Sequence, residues 1–235
     1  MNLSEIYVST QGESVHVGLP TIFLRFAGCN LKCPGWPCDS QHAIDPALYR
    51  HEWQIRGEEQ IFEEIMSLAN ETGANNVCFT GGEPFLQNND HLRHLARMLH
   101  AESMQMEVFT NGTLLWPDWA IYTFRTITMD WKLAGSGEKI DPLGVPMENA
   151  KRLSAKDALK FTVASQEDLQ EAMRNWLTFW QFISPKLGSP PVYVGPVWDK
   201  IEPAEIVEFV LSNKLPWKLN LQVHKYIWDP DKRRT

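Results

Sequence analysis

An apolar run at residues 21–26, Thr-Ile-Phe-Leu-Arg-Phe, leads into Gly28 and the stretch Cys29-Asn-Leu-Lys-Cys33-Pro-Gly-Trp-Pro-Cys38. That ten-residue stretch holds three of the chain's four cysteines and constrains the fold more than any other feature, because one loop must bring three sulfurs together at a strand end. Proline and glycine between Cys33 and Cys38 favour the bend this needs. Thiolates are soft ligands that suit iron–sulfur, zinc or copper(I), so spacing alone leaves the metal open. Zinc would need a fourth ligand such as His42, and a redox thiol pair is a further reading. Three thiolates on a four-iron cluster leave one iron free to bind a small molecule.

A second stretch narrows the choice. Thr80-Gly81-Gly82-Glu83-Pro84 follows the strand-like run Asn76-Val77-Cys78-Phe79. A glycine pair there can be a tight turn. In this setting it can also offer carbonyls to a cationic amine, with the Glu83 carboxylate adding charge. Cys78 reads as a small buried hydrophobe. Taken with the cysteines, the glycine stretch favours an iron–sulfur cluster that holds and cleaves a small cofactor.

The 235 residues are 43% hydrophobic and 22% charged, enough for a sizeable core in one α/β unit spanning 1–235. A net charge of −7 argues against a nucleic-acid partner, and the basic end Lys232-Arg233-Arg234 reads as a solvated tail. The start lacks a signal-peptide pattern, and no apolar run approaches a membrane span. We therefore expect a cytoplasmic protein, where clustered cysteines are metal ligands more often than disulfides.

Short apolar runs alternate with helical patterns, which predicts a mostly parallel sheet in an open or closed α/β barrel. Strands are expected at 21–26, 77–79, 106–110, 125–133, 158–163, 192–194 and 218–223. Helices are expected at 59–72, 90–100, 116–124, 165–180 and 204–212. Ser165 caps the fourth of these, which should bury Leu169, Met173, Trp176, Leu177 and Trp180. The segment near 41–58 has no clean period and reads as an irregular insertion beside the cysteines.

These residues resemble a known family. The cysteines and the Thr80–Pro84 string resemble the radical S-adenosylmethionine enzymes. Glu5-Ile6-Tyr7, Thr10-Gln11-Gly12-Glu13-Ser14, Arg25-Phe26-Ala27-Gly28-Cys29-Asn30-Leu31, Cys38-Asp39-Ser40 and Leu221-Gln222-Val223-His224-Lys225-Tyr226 are together similar to the 7-carboxy-7-deazaguanine synthases. The resemblance implies a modified, incomplete (β/α) barrel, a homodimer, a [4Fe-4S] cluster, S-adenosylmethionine, magnesium and a flavodoxin-like electron donor. It also implies a reaction. A 5′-deoxyadenosyl radical takes hydrogen from 6-carboxy-5,6,7,8-tetrahydropterin, whose ring contracts to 7-carboxy-7-deazaguanine with loss of ammonia, in 7-deazapurine (queuosine-type) biosynthesis.

Carried over by position, Cys29, Cys33 and Cys38 would hold the cluster and Ser40 the magnesium. Thr10, Gln11, Gly12, Glu13, Arg25 and Thr80 would hold the pterin. Pro37, Asp39, Gly81, Gly82, Glu83, Asp130, Trp131, Lys132 and Gly195 would hold S-adenosylmethionine. Arg25 offers a planar two-pronged donor for a carboxylate, and in an apolar run it needs a buried partner. Two departures stand out. Four residues separate Cys33 from Cys38 where the family usually has two, which unsettles an adenine contact such as Trp36. The chain also continues past Pro230, where some relatives end and use the terminal carboxylate. Two other readings remain: a radical enzyme that activates a protein partner, and a zinc-stabilised binding module.

Overall fold

The computed structural model describes residues 1–36, 38–182 and 188–234. Its strands are β1 (Asn2–Thr10), β2 (Pro20–Phe26), β3 (Gln54–Ile55), β4 (Asn76–Gly81), β5 (Gln105–Thr110), β6 (Thr126–Asp130), β7 (Ala158–Val163), β8 (Val192–Pro196) and β9 (Trp217–Leu219). Its α-helices are α1 (Gln41–Ile44), α2 (Pro46–Tyr49), α3 (Glu58–Thr72), α4 (Asn89–Ala101), α5 (Asp118–Thr123), α6 (Val145–Ala150), α7 (Gln166–Trp180), α8 (Pro203–Ser212) and α9 (His224–Ile227).

Among the described residues the strands form one sheet in the order β3-β1-β2-β4-β5-β6-β7-β8-β9. From β2 onward neighbours run parallel, while β1 runs antiparallel to β2 and β3. β3 and β9 stay as edges, so this is the incomplete (β/α) barrel the sequence predicts, left open.

The central strands are covered on both faces and so read as continuous apolar runs. β8 is buried at every position, and Val77, Phe79, Ile22 and Leu24 are fully buried. α4 presents Leu92, Leu95, Ala96 and Leu99 to the core, as its periodicity predicts, and Asn88 caps it by accepting from the Asp90 and His91 N–H groups. Gly73 ends α3 in a left-handed conformation with φ 74°.

Five points differ from expectation. The long expected strand at 125–133 stops at Asp130, and the last one ends at Leu219. α7 does take its cap from Ser165, but it buries Leu169, Ala172, Trp176 and Phe179, whereas Leu177 and Trp180 are about half exposed. β1 was not foreseen because a register shift between Leu3 and Glu5 breaks its two-residue period. Finally, residues 41–58 are built of α1, α2, a 3-10 turn and β3, which pairs Ile55 with Asn2 and Gln54 with Leu3.

Candidate active site

A cavity of about 670 Å³ lies where the parallel strands end, the usual place for a site in such sheets. Thr10, Gln11, Gly12, Glu13, Arg25, Cys29, Cys33, Cys38, Asp39, Ser40, Thr80, Gly81, Gly82, Asp130, Lys132 and Gly195 all line it. So does Trp36. Glu83 and Trp131 do not line it, and Pro37 lies outside the described residues.

The cysteine loop leaves the end of β2, and the glycine loop leaves the end of its neighbour β4. Register places Arg25 beside Thr80 and Phe26 beside Gly81. The Gly82 N–H donates to the Phe26 carbonyl at 3.0 Å, and the Glu83 N–H donates to the Gly28 carbonyl at 2.9 Å. A Cβ on Gly82 would stand 1.9 Å from the Gly28 oxygen. The glycines are therefore there for contact between the two loops as well as for any ligand. Glu83 is fully buried and holds this corner together: it accepts from Phe85 N, Thr110 Oγ1 and Asn111 N at 2.8–3.1 Å. Burial pushes its carboxyl up to about 7 even so.

The donor set on the cysteine side fits a cluster. Three free thiols border one cavity, and burial pushes those of Cys29 and Cys33 up to about 11, so ligation must draw protons from them. His42, the fourth ligand of the zinc reading, instead places Nε2 at 2.9 Å from Glu5 Oε1. Among the described residues no three His, Cys, Asp or Glu side chains are grouped to share one ion.

Across the cavity, Gln11 is held at both ends of its amide. Its Nε2 donates to Glu107 Oε1, and its Oε1 accepts from the Glu13 N–H. Glu107 is fully buried and also accepts from Asn76 Nδ2 at 3.0 Å. Cys78 is buried, as expected, and itself lines the cavity. Arg25 donates Nε to Glu5 Oε1 at 3.0 Å, Nη1 to Ser40 Oγ at 2.5 Å and Nη2 to Tyr7 OH at 2.9 Å. It has the buried partner that its position demanded.

Sequence reasoning missed Lys160, the side chain that joins the two halves. Its Nζ lies 2.7 Å from Glu13 Oε2 and 3.7 Å from Asp130 Oδ2. Asp130 also receives Lys132 Nζ at 3.1 Å and the Thr162 hydroxyl at 3.2 Å. Burial alone would raise the Asp130 carboxyl, but the two lysines hold it below its ordinary value. Trp131 does not join these ion pairs and packs in the core on Phe161 and Phe179.

The C-terminal segment closes the far wall. A Cβ on Gly12 would meet His224 Nδ1 at 2.7 Å, so Gly12 leaves room for that imidazole. Burial lowers the pKa of His224, whose ring lines the cavity. Lys225 Nζ reaches Asp39 Oδ1 at 2.6 Å, and Gln222 Nε2 donates to Asp39 Oδ2. The basic end is not the solvated tail that the sequence suggested. Arg234 Nε donates to Glu5 Oε2 at 3.1 Å, and Arg233 joins Glu52 at 2.9 Å and Glu5 at 3.6 Å.

Comparison with known proteins agrees with this geometry. Residues 11–128 match the family described as a 4Fe-4S single cluster domain. The chain is 36% identical to the 7-carboxy-7-deazaguanine synthase of Clostridium acetobutylicum, over 97% of this chain and 96% of that one. It is 32% identical to that of Methanospirillum hungatei, over 98% and 86%. The crystal structure of QueE from Escherichia coli shares the fold, with a TM-score of 0.69 over 95% of this chain and 94% of that one at 20% identity. With full-length similarity added to a thiol-bordered cavity at the strand ends, this chain belongs to the 7-carboxy-7-deazaguanine synthase family.

Proposed function

We propose that the protein converts 6-carboxy-5,6,7,8-tetrahydropterin to 7-carboxy-7-deazaguanine and ammonia, in 7-deazapurine biosynthesis of the queuosine type. The observation that carries the reading is the meeting of both chain ends at one cavity, with His224 on Gly12 and Lys225 on Asp39. When bound, the cluster and S-adenosylmethionine supply the carbon radical that starts the rearrangement.

The chain's own residues bind and orient. Cys29, Cys33 and Cys38 hold the cluster. Asp130, Lys132, Asp39, Gly81, Gly82 and Gly195 border the place for S-adenosylmethionine. On the pterin side Gln11 has its amide fixed by Glu107, and Glu13 accepts from an amine and amide edge while Lys160 keeps its other side neutralised. Arg25, Thr10, Gly12 and Thr80 complete that wall, and the Arg25 guanidinium faces the substrate carboxylate. Glu83 supports this site from behind the glycine loop.

Magnesium rests on Ser40. Magnesium keeps several waters and needs few protein oxygens, and the Ser40 hydroxyl is a hard donor on the cavity wall. That oxygen already accepts from Arg25 Nη1 at 2.5 Å, so an ion there competes with the guanidinium and must be completed by substrate and water. A flavodoxin-like electron donor and a homodimer complete the proposal. No helix among the described residues is long and apolar enough to cross a membrane.

The test is anaerobic incubation of reduced, reconstituted protein with S-adenosylmethionine and the tetrahydropterin, with and without magnesium, read by mass spectrometry. We expect 7-carboxy-7-deazaguanine, in larger yield with magnesium. Formation of 5′-deoxyadenosine without that product would reject the substrate. Neither product from cluster-loaded protein would reject the radical reading.

A further inference from the structure

The lengthened cysteine loop rests on a second surface outside the cavity. Cys33 has φ 46°, a left-handed conformation that side chains with a Cβ disfavour. Something must hold it there. Glu138, in the loop after β6, does so with one oxygen: Oε1 accepts from the Lys32 N–H at 2.6 Å and from the Cys33 N–H at 2.7 Å.

The residues that follow are held as closely. Gly35 N donates to the Ser136 carbonyl at 2.8 Å. A Cβ on Gly35 would stand 1.9 Å from the Gly135 oxygen, and one on Gly137 would stand 2.8 Å from Gly35 N and Pro34 Cγ. Glycine on both sides lets residues 34–35 lie flat against residues 135–137.

That turn is itself anchored on the start of α7. The Ala134 N–H donates to the Glu171 carboxylate at 3.1 Å, and a Cβ on Gly135 would meet Asp168 Oδ1 at 2.2 Å. Ser136 is fully buried, with its hydroxyl donating to the Leu133 carbonyl at 2.6 Å. Glu138 therefore reaches the cysteine loop from a fixed base.

A carboxylate so placed does two things to a cluster on Cys33. It engages two backbone N–H groups that could otherwise turn toward cluster sulfurs, and it adds a fixed negative charge. Net charge and hydrogen bonds to sulfur both set cluster potentials, and both effects here favour the oxidised form. We propose that Glu138 is a positioning residue for the cluster, holding Cys33 in its left-handed conformation and lowering the potential at which the cluster accepts an electron. The proposal rests on the iron–sulfur reading of the loop and extends it to a residue outside the cavity.

The test compares reconstituted wild type with Glu138→Gln and Glu138→Ala. Midpoint potentials come from titration followed by electron paramagnetic resonance, and cluster hold from the rate of iron loss to a chelator. Both variants should shift the midpoint upward. Glu138→Ala, which leaves both N–H groups without their partner, should also lose iron about tenfold faster than wild type. Glu138→Gln keeps an acceptor oxygen and should stay near the wild-type rate, which separates lost charge from a misfolded loop. Unchanged potentials and iron loss in both variants, with wild type fully loaded, would overturn the proposal alone. A wild type that takes up no iron would overturn the cluster reading and the proposal with it.

Discussion

At the scale of single residues, the cavity is organised by a buried cation between two carboxylates. Lys160 is about one-tenth exposed, and burial alone would lower its pKa, yet Glu13 and Asp130 on either side raise it. Removing one partner of a buried ionic group strands the others, at a cost of roughly 3–5 kcal/mol. Lys160→Met should lose stability on that scale in denaturant titration and weaken pterin binding. Adding Glu13→Gln should recover part of the stability, because one stranded charge is gone. Additive losses in the two variants would show that the groups are not coupled. The sequence shows the strand Ala158-Leu-Lys-Phe-Thr-Val and its alternation, which sets Lys160 and Thr162 on one face. It carries no sign of what stands opposite, since Glu13 lies 147 residues earlier. The same holds for Glu107, whose partner Gln11 is 96 residues away.

At the scale of elements, two glycines illustrate two different demands. Gly73 ends α3 at φ 74° with nothing within 4 Å of an added Cβ, so Gly73→Ala meets only backbone strain, about 1 kcal/mol. Gly82 has ordinary φ but lies against the backbone of Gly28. Gly82→Ala must therefore part the two loops that follow β2 and β4. It should cost well over 2 kcal/mol and release iron from the cysteine loop, whereas Gly73→Ala should keep its iron. Thermal unfolding and iron analysis check both, at roughly 2–4 °C per kcal/mol for a chain of this size.

Elements with a clean period were legible: α3, α4 and α8 fall within a residue or two of expectation, and β7 coincides with it. Those that serve the cavity were less so. β1 carries Glu5 and Tyr7 on its buried positions and shifts register beside them. β9 ends early because Asn220 turns to receive the Ser14 N–H, and Gln222 and Lys225 go on to Asp39. The site residues were readable as strings, while the contacts that orient them depend on which strands become neighbours.

At the scale of the molecule, Glu5 gathers basic side chains from along the whole chain. Its side chain is about 1% exposed and meets Arg25, His42, Arg233 and Arg234. Burial alone would raise its carboxyl, but the hydrogen bond from His42 and the charge of Arg25 bring it down from 4.5 to about 2. A carboxyl lowered on folding stabilises the protein above its unfolded pKa and loses that contribution as pH falls through the folded one. The shift corresponds to about 3 kcal/mol, present above roughly pH 4.5 and withdrawn toward pH 2. Glu5→Gln should be less stable at neutral pH and show a flatter stability profile between pH 5 and about 2. Denaturant titrations across that range decide it, and a wild-type profile without that slope would show that Glu5 is not held as described.

The contact between Glu5 and Arg234 spans 229 residues of chain, which bears on how the protein is made. A ribosome delivers the first strand and the three cysteines long before it delivers the arginines that reach Glu5. The nascent chain thus exposes a thiol loop whose surroundings are unfinished. The cavity that these cysteines border can therefore be completed only after Arg233 and Arg234 have emerged.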